Sequence, residues 1–145
     1  LLFLFSRESK SPGQDNMRHL LPAVVLVVVS AVPSLALDSS VKRQLNALAP
    51  EERLEQRCDI EAMERIAAEQ KGMRPDKVIA YTFGEPQVTE NSIKAAGAVF
   101  RSSGEWYKLK YKCRTSEQNL SIQSFDYRVG EKVPESQWGQ YYLYN

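Results

Sequence analysis

An α+β fold, with N-terminal helices packed on a small antiparallel β-sheet and a short C-terminal helix, is what the amino-acid sequence predicts, on three observations. The run PEERLEQRCDIEAMERIAAEQKG repeats apolar residues every four positions, the period of a helix with one buried stripe. The run EWYKLKYKCRT alternates apolar and charged residues, the period of a strand with one buried face. The chain has two cysteines, Cys58 and Cys113. One falls on the buried stripe and the other on the inward strand face, so a single disulfide would join helix to sheet.

In chain order, the first segment is LLFLFSRESKSPGQDN, which has no starting methionine and puts Arg7, Glu8 and Lys10 ahead of the apolar stretch. Residues 1–16 are read as mis-called upstream sequence. From Met17 the pattern is that of a secretory signal over residues 17–36. A short basic start (Met17, Arg18, His19) precedes an apolar run from Leu20 to Val32, then Pro33, Ser34, Leu35 and Ala36. Ser34 and Ala36 supply the small side chains that a signal peptidase accepts, so cleavage is expected near Ala36 and the mature protein in the periplasm or outside the cell. The alternative is an anchor formed by the uncleaved segment. A membrane span needs about 20 apolar residues, and this run is shorter and interrupted by Pro22 and Pro33. No cysteine stands at the cut to carry a lipid.

Residues 37–145 are read as a single α+β domain, long enough for a modest core. The whole chain carries 19 Lys and Arg against 18 Asp and Glu; Arg7, Lys10, Arg18, Glu8 and Asp15 fall before residue 37, leaving the domain formally neutral. Bulk charge gives no reason to expect nucleic acid as a partner. The one histidine, His19, leaves with the signal. Serine–histidine and cysteine–histidine nucleophiles, imidazole bases and histidine-containing zinc sites are thereby excluded, and no metal or cofactor is expected. In an oxidising compartment the two cysteines are expected to pair. The bridge closes a loop of about 55 residues, for which the chain-entropy treatment gives at most roughly 4 kcal/mol. A redox pair of free thiols is the rival reading, and it lacks the CxxC spacing.

Asp38 caps a first helix over SSVKRQLNALA, with Val41, Leu45 and Leu48 at helical spacing. Pro50 opens a second, Glu51 and Glu52 suit its positive end, and Gly72 stops it. Its buried stripe is Leu54, Cys58, Ala62 and Ile66. Glu61 and Arg65 are placed on the solvated side, and Glu55, Asp59, Glu61 and Glu64 read as ordinary exposed charges rather than a metal or acid/base cluster. A strand is expected over Lys77–Phe83, a turn at Gly84–Pro86, and a strand pair or irregular hairpin over QVTENSIKAAGAVFRSS. In the next strand Tyr107, Leu109, Tyr111 and Cys113 share one face. Trp106, Lys108, Lys110, Lys112 and Arg114 share the other. After a turn at Ser116–Asn119 the parity of NLSIQSFDYRV slips between Ile122 and Phe125, predicting a bulge near Gln123 and Ser124, and Gly130 is expected to end the strand. Pro134 then begins a short helix with Trp138, Tyr141 and Tyr142 on one side.

At RLEQRCDIEAMERI, followed by PDKVIAYTF, GEWYKLKYKC and SFDYRVGEKVPESQWGQYYLY, the chain resembles a Gram-negative bacterial family catalogued as domain of unknown function 930. The likeness spans nearly all of residues 50–145 and includes both cysteines. It implies an exported envelope domain and brings no activity, substrate or catalytic residue with it.

Two surfaces are candidates for binding. Trp106, Lys108, Lys110, Lys112 and Arg114 set four cations beside an indole, a pattern that holds phosphates or anionic glycan groups by charge and stacking. Exposed strand lysines also serve simply to block edge-to-edge association. Trp138 and Tyr141, with Tyr142 and Tyr144, suit sugar stacking, although aromatics at this spacing more often close a core. The expected function is a non-enzymatic binding or accessory module for an envelope component: an anionic glycan, a lipid headgroup or a protein. The alternative is a glycan hydrolase, since glycoside cleavage needs two carboxylates and no histidine; Glu105 and Asp126, on what read as neighbouring strands, are its candidate pair.

Overall fold

A computed structural model describes residues 37–145. The segments read as an upstream extension and an export signal, His19 included, lie outside them. Asp38 caps α1 (Ser39–Asn46), its carboxylate accepting the Ser40 N–H at 2.7 Å. Pro50 opens α2 (Pro50–Glu69) at the one position where a missing N–H leaves nothing unpaired. Arg53 ties the joint together: its guanidinium donates to the carbonyls of Leu45 (2.9 Å), Leu48 (3.0 Å) and Gln118 (3.1 Å). It thus adds a second donor to the Leu45 carbonyl, satisfies that of Leu48 beyond the end of α1, and reaches the Ser116–Asn119 turn at Gln118. Past α2 the chain turns at Gly72, whose φ of 81° suits a residue without Cβ. Among the described residues no helix is long and apolar enough to cross a membrane.

The sheet comprises β1 (Pro75–Ile79), β2 (Gln87–Val88), β3 (Ser92–Ser102), β4 (Glu105–Thr115) and β5 (Ile122–Lys132). The order is β1–β3–β4–β5, every pair is antiparallel, and β2 joins the β1 side of β3 through Gln87↔Lys94 and Val88↔Ile93. The strand expected to reach Phe83 stops at Ile79. Beyond it the chain leaves the ladder and turns over a bulge in β3 between Ala95 and Ala98, where the Phe83 N–H donates to the Gly97 carbonyl at 2.7 Å. A Cβ on Gly97 would lie 2.6 Å from the Gly84 nitrogen and the Phe83 carbonyl carbon. The expected bulge in β5 is present: Arg114 pairs with Ser124 but Thr115 with Ile122, leaving Gln123 over. Gly130 does not end that strand. A second slip, between the pairs Tyr107↔Lys132 and Leu109↔Val129, carries β5 on to Lys132. Gly130 there faces Lys108, whose Cβ a new Cβ would approach to 3.0 Å.

One sheet face carries α2. Leu54, Cys58, Ala62 and Ile66 pack on Ile93, Phe100, Leu109, Tyr111 and Cys113, and Cys58 is bonded to Cys113 with Cα atoms 6.0 Å apart. The helix is buried over a wider arc than its apolar stripe. Glu61, expected in solvent, is only 5% exposed, and Arg57 and Asp59 are buried with it. Arg57 and Arg65 each meet the Glu61 carboxylate at 3.0 Å, and Arg57 Nε donates to the Leu120 carbonyl at 3.0 Å. The turn between β4 and β5 thus folds over the helix flank, a contact that helical periodicity does not encode.

The other face holds a second core at one end: Val99, Trp106, Val133, Trp138 and Leu143. The segment after β5 supplies its cover, through α3 (Glu135–Trp138) and a 3₁₀ turn (Gly139–Tyr141). Trp138 Nε1 donates to the Val133 carbonyl at 3.0 Å and Trp106 Nε1 to that of Tyr144 at 3.3 Å. Tyr142, expected beside Trp138, points outward instead. It takes a left-handed φ of 56° after a single helical turn, so helical spacing no longer applies and Leu143 turns in.

Candidate anion-binding face

Beyond that second core the outer sheet face is basic and, among the described residues, uncovered. β4 carries Lys108, Lys110, Lys112 and Arg114, and the last three are exposed as their alternation predicts. The register brings further cations beside them: Lys94 on β3 stands opposite Lys112, and Arg128 on β5 opposite Lys110. Directly opposed like charges destabilise a strand pair, and here two such pairs lie side by side. Among the described residues Lys94, Lys110, Lys112, Arg114 and Arg128 make no ion pair. Lys108 is engaged, at 2.7 Å from Glu131 and with its ammonium 5.5 Å from the Phe83 ring centre.

The face is furrowed. Two adjoining depressions, of about 530 and 310 Å³, share Ala96, Lys110 and Arg128 as lining. Small residues keep them open, Ala96 on β3 and Gly130 across the furrow, while Gly97 makes room for the Phe83–Gly84 backbone. Phe83 and Lys108 line one end, Lys94, Lys112 and Asp126 the other.

The other residues singled out from sequence do not join this furrow as a group. Trp106 is on the lysine face, as its parity requires, but is 1% exposed beneath the C-terminal segment. Trp138 is 8% exposed in the same core, and Tyr141 rests half-buried on Phe83 with ring centres 4.5 Å apart. Neither indole is presented to a ligand. Arg114 is exposed between Ser92 and Ser124. Glu105 and Asp126 do not converge. Asp126 pairs with Lys112, seven residues along β4 from Glu105, about 23 Å at the usual rise per strand residue. Glu105 is instead bridged to Lys132 at 3.0 Å. That separation exceeds what either glycosidase geometry uses, at most about 9.5 Å, and overturns the carboxylate pair.

Lys94 and Arg128 were not found by reading strands singly. Asp126 and Arg128 do alternate with Phe125, Tyr127 and Val129, so their outward face was legible. Which β4 residue each opposes depends on the two β5 bulges.

A separate polar group lies under the helix. Asp59 is 5% exposed and accepts the Tyr111 hydroxyl at 3.1 Å. Burial pushes its carboxyl up to about 7, against the smaller downward pull of that hydrogen bond. The Tyr111 hydroxyl is raised as well, first by burial and then by the Asp59 charge. Asp59 thus faces the sheet while Glu61 is held by arginines, and the acids of α2 form no common site. Among the described residues no group of three or more potential metal ligands occurs.

A family model described as Domain of Unknown Function (DUF930) matches residues 45–143. These limits coincide with Leu45 and Leu143, both buried, so the match takes in α2, the whole sheet and both cores. No curated protein and no solved structure matches the chain.

Proposed function

The chain belongs to the Domain of Unknown Function 930 family, and from that footing we propose that it is a binding module whose basic sheet face takes an anionic component of the cell envelope, without chemistry of its own. The observation that carries this reading is the position of the cations. Lysines protect sheets from edge-to-edge association when they stand on edge strands, but β4 lies between β3 and β5. Its lysines guard no edge, and two of them are opposed to further cations, a cost to the sheet that Asp126 opposite Lys112 offsets at one pair and that nothing directly opposite, among the described residues, offsets between Lys110 and Arg128. A negatively charged partner would turn that repulsion into attraction.

The envelope location rests on two supports. Residues 17–36 have the anatomy of an export signal, and the domain holds its two cysteines in a disulfide, the state favoured in the periplasm or outside the cell. Release near Ala36 would leave the domain without histidine.

Reversal of two cations tests the reading. Lys110→Glu with Lys112→Glu is expected to abolish retention of the protein on envelope fractions. It should leave the thermal midpoint nearly unchanged, because the new glutamates face Arg128 and Lys94 while the one at 112 also faces Asp126, and cross-strand charge pairs of either sign are worth roughly 0.2–1 kcal/mol each. Undiminished retention by the folded variant refutes the proposal.

A further inference from the structure

Charge alone does not require a furrow. A phosphate or an acidic peptide can be held by lysines on a flat sheet, whereas here five cations, outnumbering the carboxylates of Asp126 and Glu131, stand around a trough with an uncharged floor. That floor is Ala96 on β3 and Gly130 on β5, bounded at one end by the Phe83–Gly84 turn that lies over Gly97. Gly97 has no room for a Cβ because that turn already rests on it, and a side chain at Gly130 would press on Lys108. The trough follows β4 from Lys112 to Lys108, about 13 Å at the rise of a strand. Cations along β4 recur about every 7 Å, and two of them, Lys110 and Lys112, have a cationic neighbour across the strands, Arg128 and Lys94, at about 5 Å. The ligand that matches has flat, weakly polar ring faces for the floor and negative groups repeated along its length for the walls.

Resting on that binding reading, we infer that the furrow seats a linear acidic polysaccharide, its sugar rings over Ala96 beside the Phe83 ring and its carboxylates between Lys110 and Arg128. A bilayer surface fits less well. Docking on lipid calls for protruding apolar side chains, and the large exposed ones, Tyr81, Val88, Tyr142 and Tyr144, do not line the furrow.

Binding of polygalacturonate to the purified full-length chain tests this, with neutral dextran and phosphatidylglycerol vesicles in parallel. Polygalacturonate should bind in a salt-sensitive way and dextran should not. Lys110→Glu with Arg128→Glu is expected to weaken binding more than about tenfold, the loss of charge-assisted contacts. Ala96→Trp fills the trough with the charge unchanged and should weaken it comparably, thermal unfolding confirming a folded protein; Ala96→Leu serves if the indole prevents folding. If charge reversal weakens binding and the filled trough does not, the basic face stands as a binding site and the polysaccharide furrow is overturned. Binding to the vesicles but not to polygalacturonate also overturns it. If neither charge reversal nor filling has an effect, both readings fall.

Discussion

At the scale of single residues, two buried polar side chains carry consequences out of proportion to their size. Asn119, 2% exposed with a left-handed φ of 55°, accepts from Thr115 (2.6 Å) and Asn91 (3.0 Å) and donates to the carbonyls of Pro50 (3.1 Å) and Glu90 (3.2 Å). One amide so joins the start of α2, the β2–β3 turn and the β4–β5 turn. Asn119→Asp keeps the shape but turns an acceptor toward two carbonyls. It should destabilise by several kcal/mol, since each unsatisfied buried group costs about 1–3; a urea midpoint within error of the parent excludes this. Asp59 predicts a pH dependence. Its carboxyl keeps its proton up to about 7 in the folded state but releases it near the ordinary 3.8 when exposed. The folded form therefore binds more protons between those values. The associated stability is fully present below about pH 4 and is lost as pH rises through 7. Asp59→Asn, which still accepts from Tyr111, should unfold at higher denaturant than the parent at pH 8, with the gap closing toward pH 4. Parallel pH profiles would contradict the assignment.

At the scale of elements, bulges decide what strands present. The β5 bulge at Gln123 returns Phe125, Tyr127 and Val129 to the helix-covered face. The β3 bulge lets the Phe83 turn cross at Gly97 and opens the furrow. Gly97→Ala must push back backbone atoms 2.6 Å away. It is expected to cost about 1–3 kcal/mol, the range for overpacking, and to loosen the Phe83 turn, which hydrogen exchange at the Phe83 amide would register; unchanged protection there argues against the contact. On α2 the burial of Arg57 and Glu61 shows the limit of reading a helix alone: its polar flank is covered by Leu120, more than sixty residues away.

At the scale of the whole molecule, the disulfide links the middle of α2 to the central strand over a separation of 55 residues. Roughly 4 kcal/mol from loop closure is a large share of the 5–15 typical of a domain. Replacing Cys58 and Cys113 by alanine should lower the unfolding free energy by about 2–5 kcal/mol, read from denaturant melts, and reduction of the parent should have a similar effect. Equal stability with and without the bond would show that the core alone holds helix to sheet.

The sequence by itself determined the α+β order of elements, the buried stripe of α2, the outward lysines of β4, the slip near Gln123 and the cysteine partnership. All but the last stem from local periodicity, in which a residue's face depends only on its neighbours along the chain; the cysteine partnership follows from there being two cysteines, each on an inward face. Tertiary structure alone decided that Trp106 and Trp138 close a core, that Glu61 is buried, that Glu105 and Asp126 stand far apart and that Lys94 and Arg128 join the basic face. Each of those depends on which segment covers or pairs with another. Cross-strand register and loop docking are set by contacts distant in sequence, to which a repeat of two or four residues carries no reference.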